Sequence, residues 1–247
     1  MMRNIRLTIE YDGTDFHGWQ FQPRERTVQG ELEQALHQLT REKVRIIGAG
    51  RTDQGVHAYG QVANFHTASA MQLREMKKAI NAIIHDDIYI RDTSYVPSDF
   101  HSRYSACAKT YAYYVLYKPS PMRRRYAWVL HRSLDTDRMV RAAQLITGKH
   151  DFKYFSVSNG KDSTMCTVMS IDIHTRGPET VITVTGDRFL HKMVRGIVGF
   201  VHDVGRNRFS PDDANRVFNG TLKDMYFAPA HGLFLMEVLY DARERTV

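Results

Sequence analysis

Gly48-Ala49-Gly50-Arg51-Thr52-Asp53-Gln54-Gly55-Val56-His57-Ala58 lies between an apolar run, Val44–Ile47, and a strand-like run, Val56–Phe65. Its glycines surround one carboxylate, Asp53, with Arg51 two residues before it and His57 four after. Glycine has no Cβ, so the backbone can turn tightly or approach a ligand closely. Loops held between rigid strands are a favoured place for chemistry. Spacing alone leaves two readings open. The loop either presents Asp53 and Arg51 to a ligand, or it is a salt-bridged turn whose aspartate caps backbone amides.

Outward from this loop the pattern is α+β. Residues 3–11 alternate apolar and polar as a half-buried strand does, and Asp12-Gly13-Thr14-Asp15 ends the run in a turn. Val28, Leu32, Ala35, Leu36 and Leu39 follow helical spacing, predicting a helix over 27–39 with Thr27 as N-cap. Strands are expected at 43–48 and 59–67, a helix over 71–85 and a strand at 87–96. That order, β-α-β-β-α-β, is ferredoxin-like.

The second half repeats it. A strand is expected at 104–117, a helix over 135–147 that stops at Gly148, strands at 167–175 and 180–186, a helix over 189–204 and a strand at 233–240. An extra helix fits 211–219, with Ser210 capping, Pro211 in the first turn and Gly220 ending it. No matching residues link the halves, so the repeat is one of architecture. The expectation is two ferredoxin-like subdomains, 1–103 and 104–247. Their strands would form one continuous, mainly antiparallel sheet with a cleft along one face, because the connection is too short for a free linker.

Bulk properties narrow the function. No apolar run approaches the ~20 residues of a membrane span. The N-terminus carries no signal-peptide core, so a cytoplasmic protein is expected. The two cysteines form neither a disulfide framework nor a CxxC pair, and none of the twelve histidines falls in a metal-binding spacing. No metal and no cofactor is expected. Lys and Arg total 34 against 27 Asp and Glu, for a net charge of +7. Basic clusters stand at Lys77-Lys78, Arg123-Arg124-Arg125 and Arg206-Asn207-Arg208, and aromatic residues interleave around the second (Tyr111, Tyr113, Tyr114, Tyr117, Tyr126, Trp128). Cations beside aromatic faces suit a phosphate backbone with unstacked bases, as in RNA recognition. A basic protein that merely stays soluble is the alternative.

The loop Gly50–Ala58 closely resembles the signature of the tRNA pseudouridine synthase A family, GRTDxGVHA. Further matches follow in family order: Tyr11-Asp12-Gly13-Thr14 with Gly18-Trp19-Gln20, Thr27–Glu33, Asp99–Tyr104, Lys109–Tyr113, Phe189–Arg195 and His231-Gly232-Leu233. The resemblance touches nearly the whole chain and implies the pseudouridine synthase fold, with 1–103 carrying the aspartate loop and 104–247 completing the cleft. It implies an isomerase that converts uridine to pseudouridine at positions 38, 39 and 40 of the tRNA anticodon stem-loop. It also implies a homodimer spanned by one tRNA, and no cofactor or metal.

The same resemblance assigns roles. Asp53 stands where the family has its catalytic carboxylate, and an anion suits a ribose that becomes electron-poor as its glycosidic bond breaks. Arg195 matches the family's partner cation for that carboxylate, and an Asp53–Arg195 ion pair is expected. Helical spacing places Lys192, Arg195 and Gly199 on one face, opposite a core stripe of Phe189, Met193, Ile197, Phe200 and Val204. Tyr111 matches the tyrosine that stacks on the target uracil, and strand alternation puts it on the same side as Tyr113. The target base must be flipped out of its stack, and Arg51 and Arg103 are the candidates for holding the opened RNA. Phe100, His101, Ser102 and Tyr104, in the matched segment, and Lys192 are expected to bind RNA. Arg123–Arg125 and Lys161 would meet phosphates.

This sequence departs from the family at Cys166, where relatives often have arginine in a tRNA-contacting loop. It also departs at His85 for a usual proline and at Ser102 for a common alanine. Two other functions compete: an RNA-binding protein without the chemistry, and a nucleoside or glycoside hydrolase with Asp53 as nucleophile. The hydrolase would need a second carboxylate, and the signature holds none.

Overall fold

The computed structural model describes residues 2–157 and 163–240. It contains two compact units, Met1–Cys107 with Leu235–Val247, and Ala108–Phe234. The Cys107 amide donates to the Leu239 carbonyl at 2.8 Å, so the first unit is built from both ends of the chain rather than from 1–103 alone.

In the first unit, β1 (Arg3–Tyr11) lies antiparallel between β3 (His57–Thr67) and β4 (Ile88–Val96), and a short β2 (Ile47–Gly48) pairs with β3. Alternation in β1 sends Ile5, Leu7, Ile9 and Tyr11 into the core. Helix α1 (Val28–Thr40) begins as the sequence indicates: Thr27 is extended, and its Oγ1 accepts from the Gly30 amide at 3.3 Å. Its inward residues, Val28, Leu32, Ala35 and Leu36, are fully or almost fully buried.

Helix α2 (Leu73–Ile83) buries Met76 and Ile80 and also covers the outer edge of β4. There the Asn81 amide bonds both backbone groups of Ile90, at 3.0 and 2.7 Å, and the Lys77 ammonium donates to the Arg91 carbonyl. These contacts satisfy an edge that would otherwise invite pairing with another chain. The strand expected at 43–48 shrinks to β2, because the Ile46 amide donates to Glu33 Oε1 (2.9 Å) instead of a neighbouring strand.

In the second unit, β5 (Ala108–Leu116), β9 (Glu179–Gly186), β8 (Met165–Arg176) and β7 (Gly148–Asp151) run antiparallel in that spatial order, with β6 (Trp128–Val129) parallel to β5. Helices α3 (Thr136–Ile146), α4 (Met193–Gly205) and α5 (Asp213–Phe218) complete it. Asp135 caps α3 by accepting from the Arg138 amide at 3.1 Å. The α+β class with mainly antiparallel strands is the one expected.

Further details differ from the sequence reading. The short strands β6 and β7 were not anticipated, since two to four residues carry too little periodicity. Helix α4 starts four residues late: Lys192 takes a left-handed conformation (φ 60°) immediately before it, which leaves 189–192 outside the helix. Lys192 therefore does not share a helical face with Arg195, and α4 is buried on nearly every side instead of along one stripe. Gly199 makes that possible, because a Cβ there would stand 1.6 Å from the Tyr226 carbonyl oxygen. At α5 the capping runs the other way round. The Ser210 amide donates to the Asp213 carboxylate at 2.9 Å, and Gly220 ends the turn at φ +73°. Among the described residues no helix is long and apolar enough to cross a membrane.

Candidate active site

Strand β3 and the segment ending at Trp19 grip the loop around Asp53. The Trp19 amide donates to the Thr52 carbonyl (3.1 Å), the Ala49 amide to the Val62 carbonyl (2.7 Å), and the Val56 amide back to the Asp53 carbonyl (3.1 Å). The 12–18 turn lies against the loop so closely that side chains are excluded. A Cβ on Gly13 would meet the Val56 carbonyl oxygen at 2.0 Å, and one on Gly18 (φ +89°) the Thr52 oxygen at 2.7 Å. His57 is buried beneath, where its Nδ1 accepts from the Gly13 amide at 3.0 Å. The same nitrogen lies 3.1 Å from Asp12 Oδ1, but that oxygen already accepts from the Thr14 amide and hydroxyl. We take the amide bond to be the one that orients the ring. The side chains then alternate along the loop: Thr52 is buried, Arg51 exposed and Asp53 half-buried.

A second loop of the same unit carries Phe100 to Tyr104. Its base is a buried polar cluster. Asn64 Nδ2 donates to Asn4 Oδ1 (2.9 Å), and Asn64 Oδ1 accepts from both the amide (2.9 Å) and hydroxyl (2.7 Å) of Ser102. Asn4 Nδ2 donates to the carbonyls of Pro97 and Phe100, each at 2.9 Å. Tyr240 closes the far side, donating to the Ser102 carbonyl (2.8 Å) and packing on Phe100 with ring centroids 5.0 Å apart. Ser102 is 0% exposed, so its side chain holds the loop and does not face solvent.

The tip of this loop points outward. Tyr104 is 77% exposed, with the His101 ring 4.3 Å from its own and the Arg103 guanidinium 5.7 Å from its centroid. His101 Nδ1 accepts from the amides of Arg103 and Tyr104, at 3.2 and 3.3 Å, which fixes both side chains at the tip.

The second unit holds Tyr111 and Arg195. Tyr111 is buried on β5 opposite Val184, with Phe189 edge-on at 5.2 Å. Two strand residues on, Tyr113 is also buried, and its hydroxyl donates to the Pro229 carbonyl at 2.9 Å. Burial pushes the Tyr113 phenol well above its ordinary value, and the nearby Arg195 charge opposes that rise. Arg195 is tied to the 226–232 segment by both backbone and side chain. Its Nε donates to the Ala228 carbonyl (2.7 Å), and its own carbonyl accepts from the Ala228 amide (3.0 Å). Lys192 is half-buried at the left-handed turn.

The basic clusters are partly consumed by internal contacts. Arg206 and Arg208 each bond the carboxylate of Asp203, at 2.8 Å, and Asp203 is 1% exposed. Arg123 pairs with Glu179 at 2.6 Å, while Arg124 is exposed and donates to the Pro121 carbonyl. Lys161 lies outside the described residues, as does most of the loop after Asn159. Cys166, after that loop, points inward. It is buried opposite His150, and burial pushes its thiol up to about 11. Tyr11, Gln61, Asn4 and Asn64, which support the two loops around Asp53 and Tyr104, match no site motif in the sequence. The available signal was a polar residue at an inward strand position, which must find a buried partner.

A family model described as tRNA pseudouridine synthase matches residues 7–105 and 142–241. The chain is 39% identical to a Clostridium tetani protein named tRNA pseudouridine synthase A 2, over 98% of this chain and 100% of that one. A Clostridium perfringens protein of the same name is 41% identical, over 97% and 100% of the two chains. A Geobacter protein named tRNA pseudouridine synthase A is 42% identical, over 97% and 99%. The chain belongs to the tRNA pseudouridine synthase family. It is therefore an isomerase whose substrate is uridine in tRNA.

Proposed function

We propose that the protein converts uridine to pseudouridine at positions 38, 39 and 40 of the tRNA anticodon stem-loop, with Asp53 as the catalytic carboxylate. The observation that carries this reading is the loop itself. Its backbone is bonded from β3 and Trp19 and packed against the 12–18 turn, so Asp53 is offered half-buried on a rigid support rather than on a mobile tip. Preorganisation of this kind keeps an anion in place for a developing positive charge on ribose.

In this reading the N1–C1′ bond breaks, the uracil turns within the site and C5 bonds C1′; the C5 proton is lost and N1 gains one. Atoms and electrons balance without a further reactant. Arg195, fixed through Ala228, is the cation this reading assigns to binding the substrate. Tyr111 offers its ring to the uracil. Arg51 and Arg103 hold the RNA opened by base flipping. The exposed Tyr104 with His101 contacts the RNA, while Ser102 and Phe100 hold that contact loop in shape. Lys192 and Arg124 meet phosphates. The enzyme works as a homodimer in the cytoplasm.

The test is incubation with an unmodified tRNA transcript followed by mapping of pseudouridine, beside Asp53→Asn. Pseudouridine at 38–40 with the natural enzyme and none with the mutant is expected. Product elsewhere would overturn the site assignment, and product from the mutant would remove Asp53 from the chemistry.

A further inference from the structure

We propose that Tyr11 is a positioning residue for Arg51 and Asp53, acting through a buried cluster of Tyr11, Thr52 and Gln61. The proposal rests on the reading of Asp53 as the catalytic group. Tyr11 ends β1, and a β-bulge between Ile9 and Tyr11 shifts the β1–β3 register from Ile9 opposite Gln61 to Tyr11 opposite Ala58. Bulges re-aim side chains in this way. The Tyr11 hydroxyl lies 2.7 Å from Thr52 Oγ1, and the Gln61 side chain is close enough to act on the phenol. Gln61 Nε2 donates to the Gly50 carbonyl (2.8 Å), while its Oε1 accepts from the Val62 amide (3.2 Å).

The three side chains are almost wholly buried: Tyr11 is 3%, Thr52 7% and Gln61 0% exposed. Burial also pushes the phenol up to about 12, so the hydroxyl keeps its proton across the working pH range.

The placement of these bonds is what makes the cluster informative. Gly50 and Thr52 flank Arg51, and Thr52 immediately precedes Asp53. Both flanking residues are drawn inward to one cluster anchored on two strands. With the Gly50 carbonyl and the Thr52 side chain held there, Arg51 is left exposed and Asp53 half-buried. Within the cluster Thr52 is the loop's own side-chain hook, and Tyr11 is the strand residue that receives it.

Removal of the Tyr11 hydroxyl leaves Thr52 Oγ1 without that buried partner and frees the loop to shift by a fraction of an ångström. A misplacement near 1 Å in a catalytic group can lower a rate about 100-fold. The experiment measures single-turnover pseudouridine formation and tRNA Kd for the full chain and for Tyr11→Phe, Thr52→Val, Thr52→Ser and the double variant Tyr11→Phe/Thr52→Val. Expected are about a 10- to 100-fold lower rate for Tyr11→Phe and Thr52→Val, with tRNA Kd weakened far less than the rate. Near-natural turnover is expected for Thr52→Ser, which keeps the hydroxyl. The double variant should be no slower than the slower single one, because both changes remove the same bond.

A folded Tyr11→Phe with the natural rate overturns the proposal, as does a rate loss matched by an equal loss of tRNA affinity. Multiplying effects in the double variant also overturn it. Should Tyr11→Phe fail to fold, the contrast of Thr52→Ser with Thr52→Val decides the matter: equal rates for the two overturn it. Asp53→Asn run alongside separates the two readings. Product from that mutant fells the catalytic assignment and this proposal together, whereas an inactive Asp53→Asn beside a fully active Tyr11→Phe fells only this one.

Discussion

Asn64→Ala probes how a buried amide in the core of a strand supports a loop, proposed to contact RNA, more than thirty residues away in sequence. Asn64 is fully buried on β3, and its side chain takes part in bonds to Asn4 Oδ1, the Ser102 amide and the Ser102 hydroxyl. Truncation leaves two groups that cannot turn elsewhere, the Ser102 N–H and Asn4 Oδ1, while the Ser102 hydroxyl can rotate. Each buried orphan costs roughly 1–3 kcal/mol, so about 3 kcal/mol is expected after a water partly replaces the amide. For a chain of this size that lowers Tm by about 6–12 °C. The loop tip rides on Ser102, so tRNA Kd should weaken in the same variant, as measured by filter binding. Ser102→Ala removes only the hydroxyl bond and leaves the amide bond to Asn64, so its cost should stay near about 1 kcal/mol. An Asn64→Ala Tm within about 2 °C of the natural protein, measured by calorimetry, would refute the reasoning, because the amide would then be carrying none of the loop.

Other expectations follow from single side chains. Tyr104→Ala should weaken binding of an anticodon stem-loop by about 1–3 kcal/mol in a titration, with Tyr104→Phe close to the natural value, since the ring and not the hydroxyl offers a stacking face. Cys166 should resist alkylation at pH 8 in the native protein and react on unfolding, because burial raises its thiol to about 11; prompt native labelling, read by mass spectrometry, would contradict its placement. Burial holds His202 below the ordinary histidine value of 6.5, despite the neighbouring Asp203. The unfolded chain therefore takes up that proton first as pH falls, and stability declines below about pH 6.5. His202→Gln should flatten that part of a stability-versus-pH profile; an unchanged slope would exclude His202 as its source.

The strand and helix pattern of this protein was legible because burial leaves a periodic record. The alternation of β1, the spacing in α1 and the Thr27 cap could all be read from neighbours within a few residues. The start of α4 could not. Phe189 and Lys192 extend the helical spacing, but Lys192 takes a left-handed turn, and periodicity carries no trace of it. Similarly, β6 and β7 exist because a partner strand is present at the right distance, not because their own residues demand it.

For the site, the signature residues Arg51 and Asp53, and the later Tyr111 and Arg195, stand out in the sequence because they match a family in order. The chain by itself determined the class of chemistry, the loop that holds the carboxylate and the local elements around it. Only the tertiary structure decided which neighbours serve it. Tyr11, Gln61, Asn4 and Asn64 look like ordinary strand residues until folding buries them. A buried polar group must then find a partner, and its partners are the backbone and side chains of the two loops that carry Asp53 and Tyr104. Ser102, chosen by resemblance as an RNA contact, turns out fully buried for the same reason. Local sequence sets periodicity and turn chemistry, but the pairing of distant polar atoms depends on register and bulges, which exist only once the strands are side by side.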